Sequence, residues 1–286
     1  MKPAAFTYHA PKTVEEAVAI LGEVAPNDGR VLAGGQSLVP TMAFRMARPA
    51  HLVDINGVTA LDKLAVTDGQ LVIGACIRHA AFQRPVVEGP LGALLSFVMR
   101  HIAHYPIRTR GTFCGSLAHA DPASEWCLVA ATLGATITAR SASGTRQLAA
   151  DDFFDWAMTT NLAENELLTE ASLPLLPPDT HFGFYEFSRR AGDYAIAMSL
   201  VTYRIEDGLI VEPRVGVGGA EGRPRRISEA EAILSGKAPS AEAFAAAGEA
   251  ASAAIVAPLE DLQANAKFRC DLVRTVTRRA LERAAA

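Results

Sequence analysis

The sequence contains little cysteine, and its cysteines are widely spaced. Only four occur among 286 residues, Cys76, Cys114, Cys127 and Cys270, and no two of them form a C-x-x-C pair. No group of histidines and cysteines has the spacing of zinc ligands. Because iron–sulfur clusters are held by clustered thiolates, this spacing predicts that the chain itself carries no such cluster. Isolated, reduced thiols are typical of a cytoplasmic protein.

The chain also lacks a large excess of charge and any long apolar run. Its formal net charge is −4 and its pI is near 6.0, so we expect no nucleic-acid partner. The densest basic cluster, Arg223, Arg225 and Arg226, is predicted to be a solvated turn. Met1 to Ala10 lacks the charged and then apolar pattern of a signal peptide, and no apolar run is long enough to span a membrane. We therefore expect a cytoplasmic protein without a membrane span.

The remaining composition is that of a globular protein. Hydrophobic residues make up 50% of the chain and charged residues 20%, and the length suggests two domains or one domain built of subdomains. Thr13 is predicted to begin a helix that Gly22 ends, and Asp68-Gly69 predicts a β-hairpin. The proline-rich stretch Leu176–Asp179 is the best candidate for a domain boundary. Beyond it, a hairpin at Asp207-Gly208 and then helices indicate an α+β arrangement.

A first glycine motif, Ala33-Gly34-Gly35-Gln36-Ser37-Leu38, stands between a predicted strand and a predicted helix. Paired glycines allow positive φ and a close approach of the backbone to a ligand, because no Cβ intervenes. Successive N–H groups can then point at one anion. A tight turn with Ser37 as helix N-cap explains the same residues, and both interpretations stay open on this segment alone.

A second motif extends from Arg108 to Glu125 and alternates small and hydroxyl residues with glycines. Such a segment suits a backbone that wraps around phosphates and a sugar chain, with Thr112 and Ser116 offering hydroxyl groups. Glu125 precedes a predicted helix, where its carboxylate could accept a hydrogen bond from a sugar hydroxyl. A plain loop with an Asp121-Pro122 turn explains the composition equally well.

Other site motifs are absent or incomplete. A Rossmann G-x-G-x-x-G starting at Gly216 would need glycine at position 221, where Glu221 stands, and no G-x-x-x-x-G-K-[ST] loop occurs. Cys114 lies near His119 in sequence, but no third group is evident to orient the histidine, so a catalytic thiol is not expected. His101 and His104 share a predicted helix face and have no evident carboxylate partner, so we do not expect them to bind a metal.

The two glycine motifs, in this order, resemble those of the FAD-binding medium subunit of molybdenum hydroxylases, the family of xanthine dehydrogenase and aerobic carbon monoxide dehydrogenase. Ala33–Leu38 matches the family pattern A-G-G-[HQT]-S-L, and Arg110–Glu125 approximates R-G-T-x-G-G-[NS]-x-A-x-x-D-P-x-x-[DE]. Arg190–Ala195 corresponds to R-x-G-D-[YW]-A, and the last helix, with Arg278-Arg279-Ala280-Leu281, resembles the closing R-R-A-L. The resemblance extends over nearly the whole chain.

The resemblance implies an α+β fold with a two-subdomain FAD-binding domain of the vanillyl-alcohol-oxidase (PCMH) type at residues 1–176. Its subdomains would cover about 1–57 and 58–176, and a small α+β C-terminal domain would cover 177–286. By analogy the cofactor-binding residues would come from both glycine motifs and from three later positions. They are Ala33, Gly34, Gly35, Gln36, Ser37, Leu38, Thr112, Cys114, Gly115, Ser116, Asp121, Glu125, Leu168 and Tyr194.

Within this set the resemblance implies individual roles. The first motif and Thr112–Ser116 would hold the pyrophosphate, and Glu125 would lie near the ribitol or ribose. Leu168 would pack near the ring, and Tyr194 would lie close to the isoalloxazine.

Three positions depart from the family patterns. Gln36 stands where histidine is common, and Cys114-Gly115-Ser116 stands where Gly-Gly-Asn is common. These two changes should keep binding while altering individual hydrogen bonds. A lysine frequent in the family before the arginine pair is missing from Phe184-Tyr185-Glu186-Phe187, which leaves the role of Tyr185, Glu186 and Phe187 near the flavin open.

The resemblance further implies a non-covalent FAD in this chain and two partner subunits. A large subunit would carry the molybdenum cofactor and choose the substrate, and a small subunit would carry two [2Fe–2S] clusters. This chain would pass electrons from the clusters through FAD to an external acceptor, within a dimer of heterotrimers. The alternative is a stand-alone flavin oxidase or reductase with its own substrate. It would need a sizeable substrate cap and a general base near the flavin. A small C-terminal domain with no evident His–carboxylate arrangement supports this alternative poorly.

Overall fold

A computed structural model describes residues 2–286 of the chain. Within this range the strands form four sheets, of three, five, four and two strands. Among the same residues, none of the helices combines the length and the apolar character that crossing a bilayer needs.

A parallel three-stranded sheet lies at the N-terminal end. It is built from β1 (Thr7–His9), β2 (Gly29–Leu32) and β3 (His51–Asp54), with α1 (Val14–Val24) between β1 and β2 and α2 (Leu38–Ala43) between β2 and β3. The strand order is β1–β3–β2, so β3 lies in the centre. The carboxyl ends of β2 and β3 therefore lie side by side, and the first glycine motif follows β2 there.

Helix α1 begins where the sequence predicts and ends later. The Oγ1 of Thr13 accepts a hydrogen bond from the backbone N–H of Glu16 at 3.1 Å, which caps the helix. The prediction that Gly22 ends the helix is wrong, because α1 continues to the buried Val24. Burial of Val24 outweighs the modest helix-propensity cost of one glycine.

The second sheet is antiparallel and has the order β4–β5–β10–β6–β7. Its region contains β4 (Leu64–Thr67), β5 (Gln70–Gly74), β6 (Thr136–Ser141), β7 (Gly144–Ala149), the separate pair β8 (Phe154–Trp156) and β9 (Thr159–Thr160), and β10 (Leu167–Pro174). Five helices accompany these strands: α3 (Pro90–Met99), α4 (Tyr105–Arg108), α5 (Phe113–His119), α6 (Glu125–Leu133) and α7 (Ala150–Phe153). This sheet carries the second glycine motif, on α5.

The C-terminal part is an antiparallel sheet of order β11–β12–β13–β14 with three helices. The elements are β11 (His181–Phe187), β12 (Ala197–Glu206), β13 (Leu209–Gly218), β14 (Arg225–Arg226), α8 (Ser228–Leu234), α9 (Ala241–Ala253) and α10 (Ala266–Ala284). Buried residues of α9 and α10 share one hydrophobic cluster with β12 and β13. The α+β arrangement predicted from the sequence is confirmed.

Both predicted hairpins are present. Asp68 and Gly69 join β4 to β5 with φ of 50° and 73°, and Asp207 and Gly208 join β12 to β13 with φ of 50° and 77°. Positive φ at both central residues gives the turn whose twist matches that of the flanking strands.

The prediction of a solvated arginine turn is wrong for Arg225 and Arg226, which are half-buried in β14, whereas Arg223 is exposed in the bend before that strand. Arg226 makes a bidentate ion pair with Glu231 at 2.8 and 2.6 Å. Arg225 donates to the buried Glu221 at 2.8 Å, and Arg223 donates to the carbonyl of Phe154 at 3.0 Å. These arginines therefore stabilise the C-terminal sheet and its contact with β8.

Candidate cofactor-binding site

The first glycine motif forms a tight loop with unpaired backbone donors. Gly35 has φ of 71°, a left-handed conformation that favours glycine. Within residues 2–286, the N–H groups of Gly35, Gln36, Ser37 and Leu38 donate to no acceptor of the chain. The Gln36 side chain folds back onto the loop, where its Nε2 donates to the carbonyl of Gly34 at 3.0 Å. Four successive unpaired donors of this kind can bind an anion.

The second motif forms a loop only in part: residues 120–124 make the expected turn at Asp121-Pro122, closed by a hydrogen bond from the N–H of Ser124 to the carbonyl of Asp121 at 2.9 Å, but the middle of the motif is helical. Phe113–His119 is helical, and Thr112 is its N-cap, because Oγ1 accepts from the N–H of Gly115 at 3.0 Å. Cys114, Gly115 and Ser116 therefore lie in the first turns of α5. The buried side chains of Phe113 and Leu117 lie in the core and hold this helix in place.

The two motifs are in direct contact. A Cβ added to Gly34 would lie 2.4 Å from the carbonyl oxygen of Arg110 and 2.6 Å from Cα of Gly111. Both distances are shorter than any normal contact, so only glycine allows the first loop to approach the backbone of the second motif this closely. The tertiary structure thus brings together two motifs that are far apart in sequence.

A cavity of about 280 Å³ adjoins this contact. Four of the predicted site residues line it: Ala33, Cys114, Gly115 and Leu168. Arg30, Leu162 and Glu164 are among the other residues that line it, whereas Asp121, Glu125 and Tyr194 do not line it. The predicted residues therefore fall into two groups. The first comprises the residues of the two motifs up to Ser116, together with Leu168, and four of its members line this cavity; the second comprises Asp121, Glu125 and Tyr194.

Cys114 is not arranged as a nucleophile. Its thiol is buried and lies 3.4 Å from the carbonyl oxygen of Ile73, to which it donates. Burial raises the pKa of the Cys114 thiol, so it stays protonated and unreactive. This agrees with the expectation that the cysteine does not act in catalysis.

The second group lies around the start of α6. Glu125 is only 9% exposed, and its burial, together with the nearby carboxylate of Glu186, raises its pKa to about 8. Nδ1 of His101 lies 3.7 Å from Oε1 of Glu186, and Oε2 of that glutamate has no partner within residues 2–286. The prediction that His101 has no carboxylate partner is wrong. Since α3 ends at Met99, His101 and His104 share no helix face either.

Tyr194 lies near this group on the segment between β11 and β12. Its side chain is 64% exposed, and partial desolvation and the charges of Asp121 and Glu125 raise its pKa. A Cβ on Gly192 would lie 2.6 Å from Cε1 of His104, so the segment packs closely against the N-terminal part. Asp121 itself accepts a hydrogen bond from the N–H of Ala123 at 2.9 Å.

Tyr185 and Phe187, whose roles the sequence left open, contact the last helix. The ring of Tyr185 lies beneath the guanidinium groups of Arg279 and Arg283, at 5.0 and 4.4 Å from its centroid. Phe187 packs edge to face on Phe268 with ring centroids 6.1 Å apart. Both side chains hold β11 against α10.

Three residues that support the glycine motifs could not be recognised from the sequence. Nδ2 of Asn56 donates to the carbonyl of Ala33 at 2.8 Å, and Arg78 donates at 2.5 Å both to Oδ1 of Asn56 and to the carbonyl of Arg110. His79 lies beneath Gly111 and accepts from Nε1 of Trp126 at 2.9 Å. Burial lowers the pKa of His79 to about 4, so it is neutral and can accept this bond. No local sequence pattern marks these residues, and Asn56-Gly57 alone is typical of a turn.

Comparison with known proteins identifies the family. Residues 4–176 match the family model described as the FAD binding domain in molybdopterin dehydrogenase. Residues 182–284 match the model of the CO dehydrogenase flavoprotein C-terminal domain.

Full-length relatives agree with these matches. The chain is 36% identical to the nicotine 6-hydroxylase medium subunit of Paenarthrobacter nicotinovorans, over 100% of this chain and 99% of the relative. It is 38% identical to the 6-hydroxypseudooxynicotine dehydrogenase complex subunit alpha of the same organism, over 99% and 96%. The structure of carbon monoxide dehydrogenase from Hydrogenophaga pseudoflava superimposes with a TM-score of 0.95 at 35% identity, covering 100% of this chain and 99% of that chain. The chain therefore belongs to the FAD-binding medium subunits of molybdenum hydroxylases, the oxidoreductase family that includes the carbon monoxide dehydrogenase medium chains.

Proposed function

We propose that this chain binds one FAD non-covalently and conducts electrons through it, from [2Fe–2S] clusters of a small partner subunit to an external acceptor. FAD supplies the redox chemistry, and the chain supplies binding, orientation and electrostatics. The observation that carries the proposal is the contact of the two glycine motifs, beside four unpaired N–H donors. These donors fit a pyrophosphate, which needs several fixed donors within a short span of backbone.

The two groups of site residues suit the two ends of the dinucleotide. The donors of Gly35–Leu38 would bind the pyrophosphate from one side, and Thr112–Ser116 would bind it from the other. The adjoining cavity, with Leu168 in its wall, would take the adenine ring, because it is lined mainly by small and apolar side chains. The isoalloxazine would lie beside the exposed Tyr194, since this ring must stay within reach of partner and acceptor.

Near the sugar chain, Asp121 and Glu125 would contact hydroxyl groups. The pKa of Glu125 is about 8, so this carboxyl is largely protonated at neutral pH and can donate as well as accept a hydrogen bond. A neutral Glu125 also avoids placing another charge beside Glu186. We therefore assign Glu125 to a ribitol or ribose hydroxyl.

The same proposal covers organisation and assembly. An FAD-binding domain would occupy residues 1–176, with subdomains at about 1–57 and 58–176, and a C-terminal α+β domain would occupy 177–286. Relatives named as medium chains and complex subunits support an assembly with a large molybdenum-cofactor subunit and a small [2Fe–2S] subunit. We propose a dimer of such heterotrimers in the cytoplasm. We assign the clusters to the small partner subunit because this chain belongs to the family of FAD-binding medium subunits.

Two measurements test this function. Native mass spectrometry of the complex from the original host should show three chain types in equal numbers. Acid denaturation followed by filtration should release the yellow flavin from the protein, since Gln36 removes a histidine that attachment at this loop would use. Flavin that stays with the protein would refute non-covalent binding. A fully active oxidase made of this chain only would favour the stand-alone alternative.

A further inference from the structure

The two glycine motifs that contact each other belong to different sheets. Gly34 and Gly35 follow β2 of the parallel sheet, and Thr112 and Gly115 accompany the antiparallel sheet. No strand pairing joins the two sheets within residues 2–286. The two sheets are held together by a shared hydrophobic core, in which residues of α1 and β3 meet residues of β5, β6 and β10. Within that packing, contacts between the segments that follow the strands hold the two motifs at their spacing.

A chain of hydrogen bonds makes this connection. Asn56, just after β3, donates through Nδ2 to the carbonyl of Ala33 at 2.8 Å, at the entrance of the first loop. Its Oδ1 accepts from Nη2 of Arg78 at 2.5 Å, and Nη1 of Arg78 donates to the carbonyl of Arg110 at 2.5 Å. One amide and one guanidinium thus link the backbone carbonyl of the first motif to that of the second.

Both ends of this chain of hydrogen bonds are held in place. The backbone of Arg78 forms an antiparallel bridge with Thr112, with His79 N–H donating to Gly111 at 2.9 Å and Phe113 N–H donating to Ile77 at 3.0 Å. At the other end, Oδ1 of Asp54 accepts from both the backbone N–H and Nδ2 of Asn56 at 2.9 and 2.5 Å. The link has little freedom, because each side chain is fixed near its backbone anchor.

We propose that Asn56 and Arg78 are positioning residues that set the distance between the two glycine motifs for FAD binding. The inference rests on the proposed function, because it assumes that the pyrophosphate contacts both motifs. A ligand bound by two loops loses affinity when their spacing is not pre-organised. The planar guanidinium suits this task, since it donates to two oxygens in a fixed geometry that a lysine cannot reproduce.

Four variants of the full chain test the proposal. They are Arg78→Ala, Arg78→Lys, Asn56→Ala and the double Arg78→Ala/Asn56→Ala, and Arg84→Ala is the matched control. Arg84 is an exposed arginine with no hydrogen bond or ion pair within residues 2–286, so the control removes the same charge without breaking the link. FAD dissociation constants would be measured on flavin-free protein by fluorescence, and melting temperatures would be measured with and without FAD.

We expect Arg78→Ala to weaken FAD binding about 10- to 100-fold, the range for losing a hydrogen-bonding charged group. Arg78→Lys should stay close to Arg78→Ala, because an ammonium group on a flexible stem does not hold the two oxygens in the fixed planar geometry of the guanidinium. The double variant should lose little more than either single variant, since each breaks the same link. Arg84→Ala should bind FAD like the unmodified chain.

Three results would overturn the proposal. Near-complete recovery in Arg78→Lys would mean that Arg78 acts by charge attraction alone. Additive losses in the double variant would mean that the two residues act separately. A lower melting temperature of the flavin-free chain with unchanged FAD affinity would mean that Asn56 and Arg78 stabilise the fold but do not position the motifs for FAD. If the unmodified chain itself bound no FAD, the proposed function would be refuted. This result differs from the three above, in which the unmodified chain binds FAD and only the role of Asn56 and Arg78 is refuted.

Discussion

Replacement of Gly34 by alanine should weaken FAD binding more than it destabilises the fold. The new Cβ would lie 2.4 Å from the carbonyl oxygen of Arg110 and 2.6 Å from Cα of Gly111, and both neighbours are backbone atoms that no rotamer change can move. The two motifs must therefore separate by about 1 Å to restore normal contact distances. Overpacking of this kind typically costs about 1–3 kcal/mol.

The outcome depends on how this cost is divided between the free energy of unfolding and the free energy of FAD binding. In the flavin-free chain the first loop can move away from the second motif by stretching the Asn56–Arg78 link, so only part of the strain appears in the free energy of unfolding. FAD binding requires the native spacing, and the strain then opposes binding. A cost of about 1–3 kcal/mol corresponds to an affinity loss of about 5- to 150-fold.

The assay is a fluorescence titration of flavin-free protein with FAD, paired with thermal unfolding of the same samples. Gly22→Ala is the control, since a Cβ there meets nothing within 4 Å and lies in the interior of α1. It should leave FAD affinity unchanged and raise stability by up to about 1 kcal/mol. Unchanged FAD affinity in Gly34→Ala, accompanied by a clear loss of stability, would refute the reasoning.

Three further predictions follow from the same site. Gly35→Ala should lower the free energy of unfolding by roughly 1–2 kcal/mol, because it places a Cβ at φ of 71°. Gly35→Asp also places a carboxylate about 4 Å from the pyrophosphate, which should weaken FAD binding by up to about 4 kcal/mol. Equal flavin loss in the two variants, with unchanged circular dichroism, would contradict a charge effect. Glu125 has a folded pKa of about 8, raised above its ordinary value of 4.5, so the native state binds the extra proton and the stability of the flavin-free chain should fall as pH rises from about 4.5 to about 8. Glu125→Gln should flatten that dependence in melting temperatures measured from pH 5 to 9, and an unchanged slope would mean that Glu125 is not the group responsible. Thr112→Ala removes the N-cap of α5 and should lower the free energy of unfolding by about 1 kcal/mol, as measured with denaturant. Thr112→Ser should keep most of this stability, because serine can make the same capping bond. Equal losses in the two variants would argue against the cap.

Local elements of the fold could be predicted because short-range physics decides them. The capping bond of Thr13 and the hairpins at Asp68-Gly69 and Asp207-Gly208 each depend on a few neighbouring residues. The same local reasoning failed where burial competes with propensity, as at Gly22. It also failed for Cys114–Ser116, which form a helix because Thr112 caps it and Phe113 and Leu117 are buried in the core.

The sequence by itself determined the family, the order of the motifs and the cofactor, because these depend on which residue types occur and in what sequence. Only the tertiary structure decided how the site is assembled. The closeness of Gly34 to Gly111, the link through Arg78 and the raised pKa of Glu125 beside Glu186 all join segments from separate elements. Contact distance and desolvation are properties of the packed chain, and no local pattern encodes them.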